Sequence, residues 1–304
     1  MSGTRYAGVY GVTVTPFTSD GSALDEGRVE ELCEAMVADG IRHLVPCGNT
    51  GEYHALSRDE RRRVVELTVR ASGGRASVIV GVGGSLPDVV DQARHAENAG
   101  ADGVMVHHPV LPYVTEDGYL AYLRSIAAAV GVPVVPYLRA PVLTVDGIRR
   151  ALDIEAVVAV KFGFNDLLAF AAAVGASHDR RDIAWICGTA ESWAPFFWAG
   201  GAVGFTSGLV NVAAEQSLGL QAALEAGDRD RTLAIWRRLR PFEELRSRHA
   251  DGWNVGVVKE AMRQVGRPAG PVRPPSSEVG IEGARAIAEL LERMGLAREG
   301  SLAR

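Results

Sequence analysis

Lys161 sits in the apolar run Val158-Ala159-Val160-Lys161-Phe162-Gly163, where a charged side chain is out of place. If the run is a β-strand, alternation puts Lys161 on the same face as Ala159 and Val157, pointing into an apolar interior. Removal from water disfavours the ammonium. A neutral amine attacks a ketone to give a carbinolamine and then an iminium, so burial would supply the activation that a Schiff-base lysine needs. A lysine here can equally snorkel to the strand end or pair with a carboxylate, and the strand pattern alone leaves both readings open.

Other polar residues end neighbouring apolar runs. Pro136-Tyr137-Leu138-Arg139 closes the preceding run, so Tyr137 would lie beside Lys161 across a parallel pair. There its phenol could move protons to and from a carbinolamine, although a lone tyrosine is more often simply packed. In Gly48-Asn49-Thr50-Gly51-Glu52, Thr50 offers a hydroxyl, and Gly51 lets the main chain approach an anion closely. Thr206 and Ser207 end the run 202–208 and are candidate substrate-binding hydroxyls. Of His107 and His108, only one can face an interior, which argues against a metal pair; the inward one either touches substrate or packs.

These segments need a frame. Short apolar runs recur at residues 8–17, 43–49, 77–82, 103–109, 133–138, 157–163, 183–189 and 202–208. Helical patterns lie between most of them, as at 25–39, 57–71, 87–99, 116–129 and 144–152. Strict alternation, with starts about 19 to 35 residues apart, predicts parallel strands joined by crossover helices, and eight such units close a (β/α)8 barrel. Active sites of these barrels lie at the C-terminal strand ends, where the polar residues above fall. Ala38-Asp39-Gly40 and Ala99-Gly100 mark helix ends. After about Asn211 the pattern is helical, at 213–226, 228–248, 256–265 and 280–294. The expected organisation is a barrel over 1–212 with helices over 213–304 packed on it as one structural unit. The Pro-rich stretch 267–275 is the one linker-like segment.

Of the 304 residues, 47% are hydrophobic and 23% charged, enough for a large core. A net charge of -5 with interspersed signs argues against nucleic-acid or membrane partners, and Arg61-Arg62-Arg63 reads as a solvated helix face. Cys33, Cys47 and Cys187 are odd in number and widely spaced, which suits reduced thiols rather than a disulfide framework or zinc site. The N-terminal residues show no leader pattern and no run is long enough to span a membrane, so a cytoplasmic chain is expected. The run Gly81-Val82-Gly83-Gly84 suggests a nucleotide site, but Leu86 breaks the dinucleotide fingerprint. No metal and no cofactor is expected.

Taken in order, four segments resemble the dihydrodipicolinate synthase/N-acetylneuraminate lyase family of class I aldolases. They are Val14-Thr15-Pro16-Phe17; Gly48-Asn49-Thr50-Gly51-Glu52; Tyr137 ahead of a proline-containing turn; and Lys161 followed by glycine. The stretch from Asn254 to Lys259 and Val272-Arg273-Pro274-Pro275 extend the likeness across nearly the whole chain. The resemblance implies that Lys161 is the Schiff-base lysine, Tyr137 the proton relay and Thr50 the hydroxyl that positions the tyrosine. It also implies that Asn49, Thr50 and Gly51 cradle a pyruvate-like carboxylate, without metal or coenzyme, in a homotetramer acting on a small 2-keto acid.

Within that family the synthase carries an arginine five residues after its tyrosine; Val142 stands there. Its aromatic pair after strand four falls on Val110 and Leu111. The runs 137–144 and 161–166 look more like 5-dehydro-4-deoxyglucarate dehydratase, although Leu138 replaces its asparagine, and Arg139 becomes a candidate for a distal carboxylate. The synthase or another pyruvate-dependent aldolase is the alternative. A silent keto-acid sensor is a third reading, against which stands the retention of both Lys161 and Tyr137.

Overall fold

The structure is a computed structural model that describes residues 5–109, 113–177, 179–180 and 182–297. Val110 and Leu111 lie outside the described residues. Eight strands, β1 (Gly8–Val12), β2 (His43–Val45), β3 (Ser77–Val82), β4 (Gly103–Val106), β5 (Val134–Leu138), β6 (Ala159–Phe162), β7 (Ala184–Cys187) and β8 (Gly204–Ser207), pair in parallel in chain order. β8 returns to β1 through Tyr10↔Thr206 and Gly11↔Ser207, closing the expected barrel. Each strand is short and buried on both faces, which is why the sequence shows continuous apolar runs.

The two faces fill separate cores. Tyr10, Val12, Val45, Ile79, Met105, Val135, Tyr137, Ala159, Ala184 and Ile186 fill the barrel interior. Their neighbours, such as Leu44, Val80, Val104, Leu138, Val160, Phe162 and Phe205, pack outward against the helices. Phe162 packs with Phe170, ring centroids 5.3 Å apart, and with Phe197 at 6.0 Å. Burying that ring, worth about 1.5–3 kcal/mol, fixes the residue before it, Lys161, toward the inside. Ala159 shares the inner face as expected, whereas Val157 packs in the outer layer because regular strand geometry begins only at Ala159.

The crossover helices are α1 (Glu26–Ala38), α2 (Arg58–Ser72), α3 (Leu86–Asn98), α4 (Glu116–Ala127), α5 (Val145–Leu152), α6 (Leu167–Ala176), α7 (Ala190–Ala199) and α8 (Val210–Glu225). Side chains of Asp25, Ser57, Ser85, Thr115, Thr144 and Asp166 cap six of them by accepting a backbone N–H. Gly40 and Gly100 take φ of 99° and 92° where α1 and α3 turn into strands, a backbone that side chains other than glycine's rarely adopt. α8 comprises two helical stretches that meet at Ala213, whose φ of -155° and ψ of 83° are not helical, and it packs on β1.

Three strands stop three or more residues before the ends of their apolar runs. After β2 the chain turns at Cys47, whose φ of 57° is left-handed and ends pairing before Gly48. After β1 the Val14 N–H donates to the Asn211 side chain at 3.0 Å, and Phe17 forms an antiparallel bridge with Leu24 instead. β4 ends at Val106, before the two histidines.

The C-terminal extension comprises α9 (Arg229–Arg246), α10 (Asn254–Gln264) and α11 (Gly280–Arg293). Its Leu239, Phe242, Leu245, Val257, Val258, Met262 and Ile287 form one core with Val14, Leu32, Leu209 and Val212 of the barrel. The stretch 267–275, read as linker-like, is instead an ordered strap. The Phe17 N–H donates to Ala269 O at 3.1 Å, and Lys259 Nζ donates to Pro271 O at 2.8 Å. The Arg273 guanidinium lies 3.9 Å from the Phe17 ring centroid. Among the described residues, no helix is long and apolar enough to cross a membrane.

Candidate active site

The strand register brings Tyr137 of β5 directly beside Lys161 of β6. Both are buried, and Lys161 Nζ lies 3.8 Å from the centroid of the Tyr137 ring. Two glycines make room for the pair. A Cβ at Gly163 would collide with the Tyr137 ring, and one at Gly188 would come within 3.0 Å of Lys161 Cγ. Both side chains line a cavity of about 400 Å³ at the C-terminal strand ends, bordered also by Asn49, Thr50, Arg139, Thr206 and residues of the extension.

Electrostatics prepare the two groups oppositely. Burial, reinforced by the positive charges of Arg139 and Arg246, pushes Lys161 down to about 7 from an ordinary 10.5. Near neutral pH a large share of the amine is therefore uncharged. Burial pushes the Tyr137 phenol up to about 12, so it retains its proton. The chain contains only two lysines; the other, Lys259, is buried in an ion pair with Glu52 at 2.6 Å.

The Gly48–Glu52 turn is fixed at both ends by left-handed residues, Cys47 (φ 57°) and Glu52 (φ 56°). Gly48 O accepts from the N–H groups of Gly51 (3.1 Å) and Tyr53 (3.3 Å), and Gly51 O accepts from Thr15 Oγ1 at 2.7 Å. Glu52 is tied to Lys259 and to the Arg273 N–H, 2.8 Å away. Among the described residues, the N–H groups of Asn49 and Thr50 have no hydrogen-bond partner, which leaves two donors for an anion. The Gly51 N–H is used inside the turn, so Gly51 serves by its shape: a Cβ there would lie 2.8 Å from Thr13 O.

The remaining expected residues separate. Thr206 lines the cavity, whereas Ser207, one residue on, faces α8 and hydrogen-bonds Ser217 at 3.1 Å, as strand alternation requires. Arg139 stands at the exposed mouth, 3.6 Å from Asp251, and Val142 packs against the outer core. His107 is the buried one of the two histidines: its Nε2 meets Cys47 O at 2.8 Å, which makes Nε2 the protonated nitrogen, and burial holds the imidazole at about 3, uncharged. His108 is half-buried beside Tyr119.

Among the cavity residues that the sequence reading missed are Glu243, Arg246 and Asn254. Arg246 is buried; its Nη1 donates to both Glu243 oxygens (2.9 and 2.7 Å), and its Nη2 donates to Asn254 Oδ1 (3.0 Å) and Thr50 Oγ1 (3.3 Å). The Thr50 hydroxyl thus has Arg246 as its partner, and no hydrogen bond among the described residues joins it to Tyr137. A signal was available. Leu239, Phe242, Glu243 and Arg246 follow the spacing of one buried helical stripe.

Comparison with known proteins identifies the family and the fold. Residues 5–294 match the model of the dihydrodipicolinate synthetase family. A 4-hydroxy-tetrahydrodipicolinate synthase of Acidiphilium cryptum is 36% identical over 239 residues, covering 76% of this chain and 80% of that one. A probable 5-dehydro-4-deoxyglucarate dehydratase of Streptomyces coelicolor is 34% identical over 292 residues, covering 94% and 88%. The crystal structure of a dihydrodipicolinate synthase from Oceanobacillus iheyensis superposes with a TM-score of 0.93 at 36% identity, covering 96% and 97%. With an eight-stranded barrel, a lysine at the end of its sixth strand and a match over nearly its whole length, this chain belongs to the dihydrodipicolinate synthetase family of Schiff-base lyases.

Proposed function

We propose that this lyase binds a 2-keto acid bearing a second, distal carboxylate, as in a keto sugar diacid, and holds it as an iminium on Lys161. The observation that carries the reading is the pairing of Lys161 with Tyr137 inside one cavity, an amine lowered to about 7 beside a phenol raised to about 12. The neutral amine adds to the ketone carbon. Tyr137 then delivers a proton to the carbinolamine hydroxyl, which leaves as water and gives the iminium. The Tyr137 phenolate takes a proton from the adjacent carbon to yield an enamine, and returns it to a neighbouring hydroxyl, expelled as water in a dehydratase, or to the aldehyde oxygen as the enamine adds to it in an aldolase. The free N–H groups of Asn49 and Thr50 receive the carboxylate next to the ketone, Thr206 lines the same cavity, and Arg139 meets the distal carboxylate.

The dehydratase-like branch is favoured because Val142 packs into the outer core and offers no cation to the cavity, while Arg139 is at its mouth. The synthase name carried by several relatives keeps condensation of pyruvate with an aldehyde as the second reading. We take the working form to be a homo-oligomer in the cytoplasm; three buried free thiols suit a reducing compartment. The test is reduction by borohydride with pyruvate or a 4-deoxy-5-keto sugar diacid. Mass added on Lys161 is expected. Mass on Lys259, or none on either lysine, would overturn the reading.

A further inference from the structure

Arg246 comes from α9 of the extension, yet its guanidinium lies in the barrel's cavity beside Thr50, 196 positions away in the chain. All five of its N–H groups are accounted for. Nε donates to Asn254 O at 3.3 Å; Nη1 takes the two oxygens of Glu243; Nη2 takes Asn254 Oδ1 and Thr50 Oγ1. Glu243 and Arg246 are both almost fully buried, with 7% and 5% of their side chains exposed, so the ion pair has no water to compete with it. Space has been cleared for it: a Cβ at Gly208, after β8, would lie 2.5 Å from Arg246 Nη2. The guanidinium therefore has no hydrogen left for a substrate, and it cannot accept one.

That asymmetry fixes what Thr50 can do. Its oxygen accepts from a group that only donates, so its own proton must go elsewhere, and among the described residues no protein acceptor takes it. The cavity remains. Together with the Asn49 and Thr50 N–H groups, this hydroxyl makes three donors, against the single lone pair that its oxygen keeps open.

We propose that the Glu243–Arg246 pair is a positioning element of the active site, which occupies one lone pair of the Thr50 oxygen, turns its proton to the cavity and so favours the ionised carboxylate of a 2-keto acid over neutral analogues. This rests on the Schiff-base reading above. A carboxylate presents two acceptor oxygens to the three donors. A primary amide turns one N–H₂ group toward them and is disfavoured.

The experiment compares pyruvate with pyruvamide by borohydride trapping read at Lys161, in the wild type, Arg246→Lys, Arg246→Met and the double variant Glu243→Gln/Arg246→Met. The double variant removes the pair together, so no buried carboxylate is stranded. In the wild type pyruvate should half-saturate at a concentration about tenfold or more below that of pyruvamide, the scale of one charge-assisted hydrogen bond. In Arg246→Met and the double variant the pyruvate value should rise by about tenfold, and that of pyruvamide by about threefold at most, so that selectivity is lost. Arg246→Lys, which keeps a donor for Thr50, should recover part of it. Equal weakening of both probes, or unchanged selectivity in the double variant, would overturn the proposal and leave the pair a structural tie. Failure of the wild type to label Lys161 with either probe would instead overturn the Schiff-base reading, and this proposal with it.

Discussion

Lys161 Nζ lies over the face of the Tyr137 ring, 3.8 Å from its centroid, rather than beside the phenolic oxygen. The ring face attracts the ammonium, while burial and the charges of Arg139 and Arg246 work against it. The balance falls near neutrality, where the amine is shared between its two forms. That is useful to a residue that must be neutral to attack and cationic as an iminium.

The first prediction follows from the sign of that shift. The folded value, about 7, lies below the ordinary 10.5, so between those pH values the native chain binds fewer protons than the unfolded chain, and stability from this group rises with pH. Lys161→Met removes the penalty. Its melting temperature should exceed that of the wild type at pH 7 and below, by a gain of a few kcal/mol at most at about 1.4 kcal/mol per unit, and the difference should shrink toward pH 10.5. Turnover should fall by several orders of magnitude. In the wild type, kcat/KM should rise through about pH 7. A melting difference that grows with pH would contradict the assignment.

Arg139 gives a second prediction. Its side chain is 48% exposed and, among the described residues, pairs only with Asp251 at 3.6 Å, at the mouth, so a substrate carboxylate can compete for it. Arg139→Ala should weaken turnover of diacids by about 1.5–3 kcal/mol in kcat/KM and that of pyruvate alone much less. It should also raise the pH at which the profile turns on, because a like charge near Lys161 is gone. Equal losses for mono- and diacids would make Arg139 structural.

The buried Lys259–Glu52 pair anchors the turn that carries Asn49 and Thr50. Lys259→Met strands the Glu52 carboxylate, and breaking a buried pair from one side costs about 3–5 kcal/mol. Burial already holds Glu52 above its ordinary 4.5, with Lys259 offsetting it. Without the lysine the carboxyl should be held higher still, so the deficit in melting temperature should widen as pH rises from about 4.5. Borohydride labelling should remain on Lys161, now the sole lysine. A variant as stable as the wild type at every pH would show that the pair contributes nothing.

Much of this was legible in the sequence, because a barrel strand buried on both faces shows as an apolar run, and Lys161 stood out as the exception to one. α6 and α7 were harder. Leu167–Ala176 is apolar nearly throughout and shows no polar face, while Ala190–Ala199 is crowded with Trp193, Phe196, Phe197 and Trp198 and interrupted by Pro195. Ser207 was grouped with Thr206 because both end one strand, yet alternation alone sends them to opposite faces. Arg246 and Glu243 share the buried helical spacing of Leu239 and Phe242, but no local pattern links them to Thr50, 196 positions away.

The remaining prediction separates the two jobs of Tyr137, whose ring packs under the Lys161 amine while its hydroxyl moves protons. Tyr137→Phe keeps the ring and the cation–π contact, and among the described residues the hydroxyl has no hydrogen bond whose loss would destabilise the fold. The melting temperature should therefore stay nearly unchanged, and binding of a 2-keto acid should remain close to normal. Turnover should still fall by roughly 10²–10⁴, the usual worth of a positioned acid–base group. Formation of the borohydride-trappable iminium should slow as well, since dehydration of the carbinolamine requires the same proton. The measurements are a thermal melt, a single-turnover trapping time course and steady-state rates on one preparation. A variant that melts far below the wild type yet turns over normally would show that Tyr137 only packs. The proton would then have to come from Thr50, whose hydroxyl accepts from Arg246 and lines the cavity.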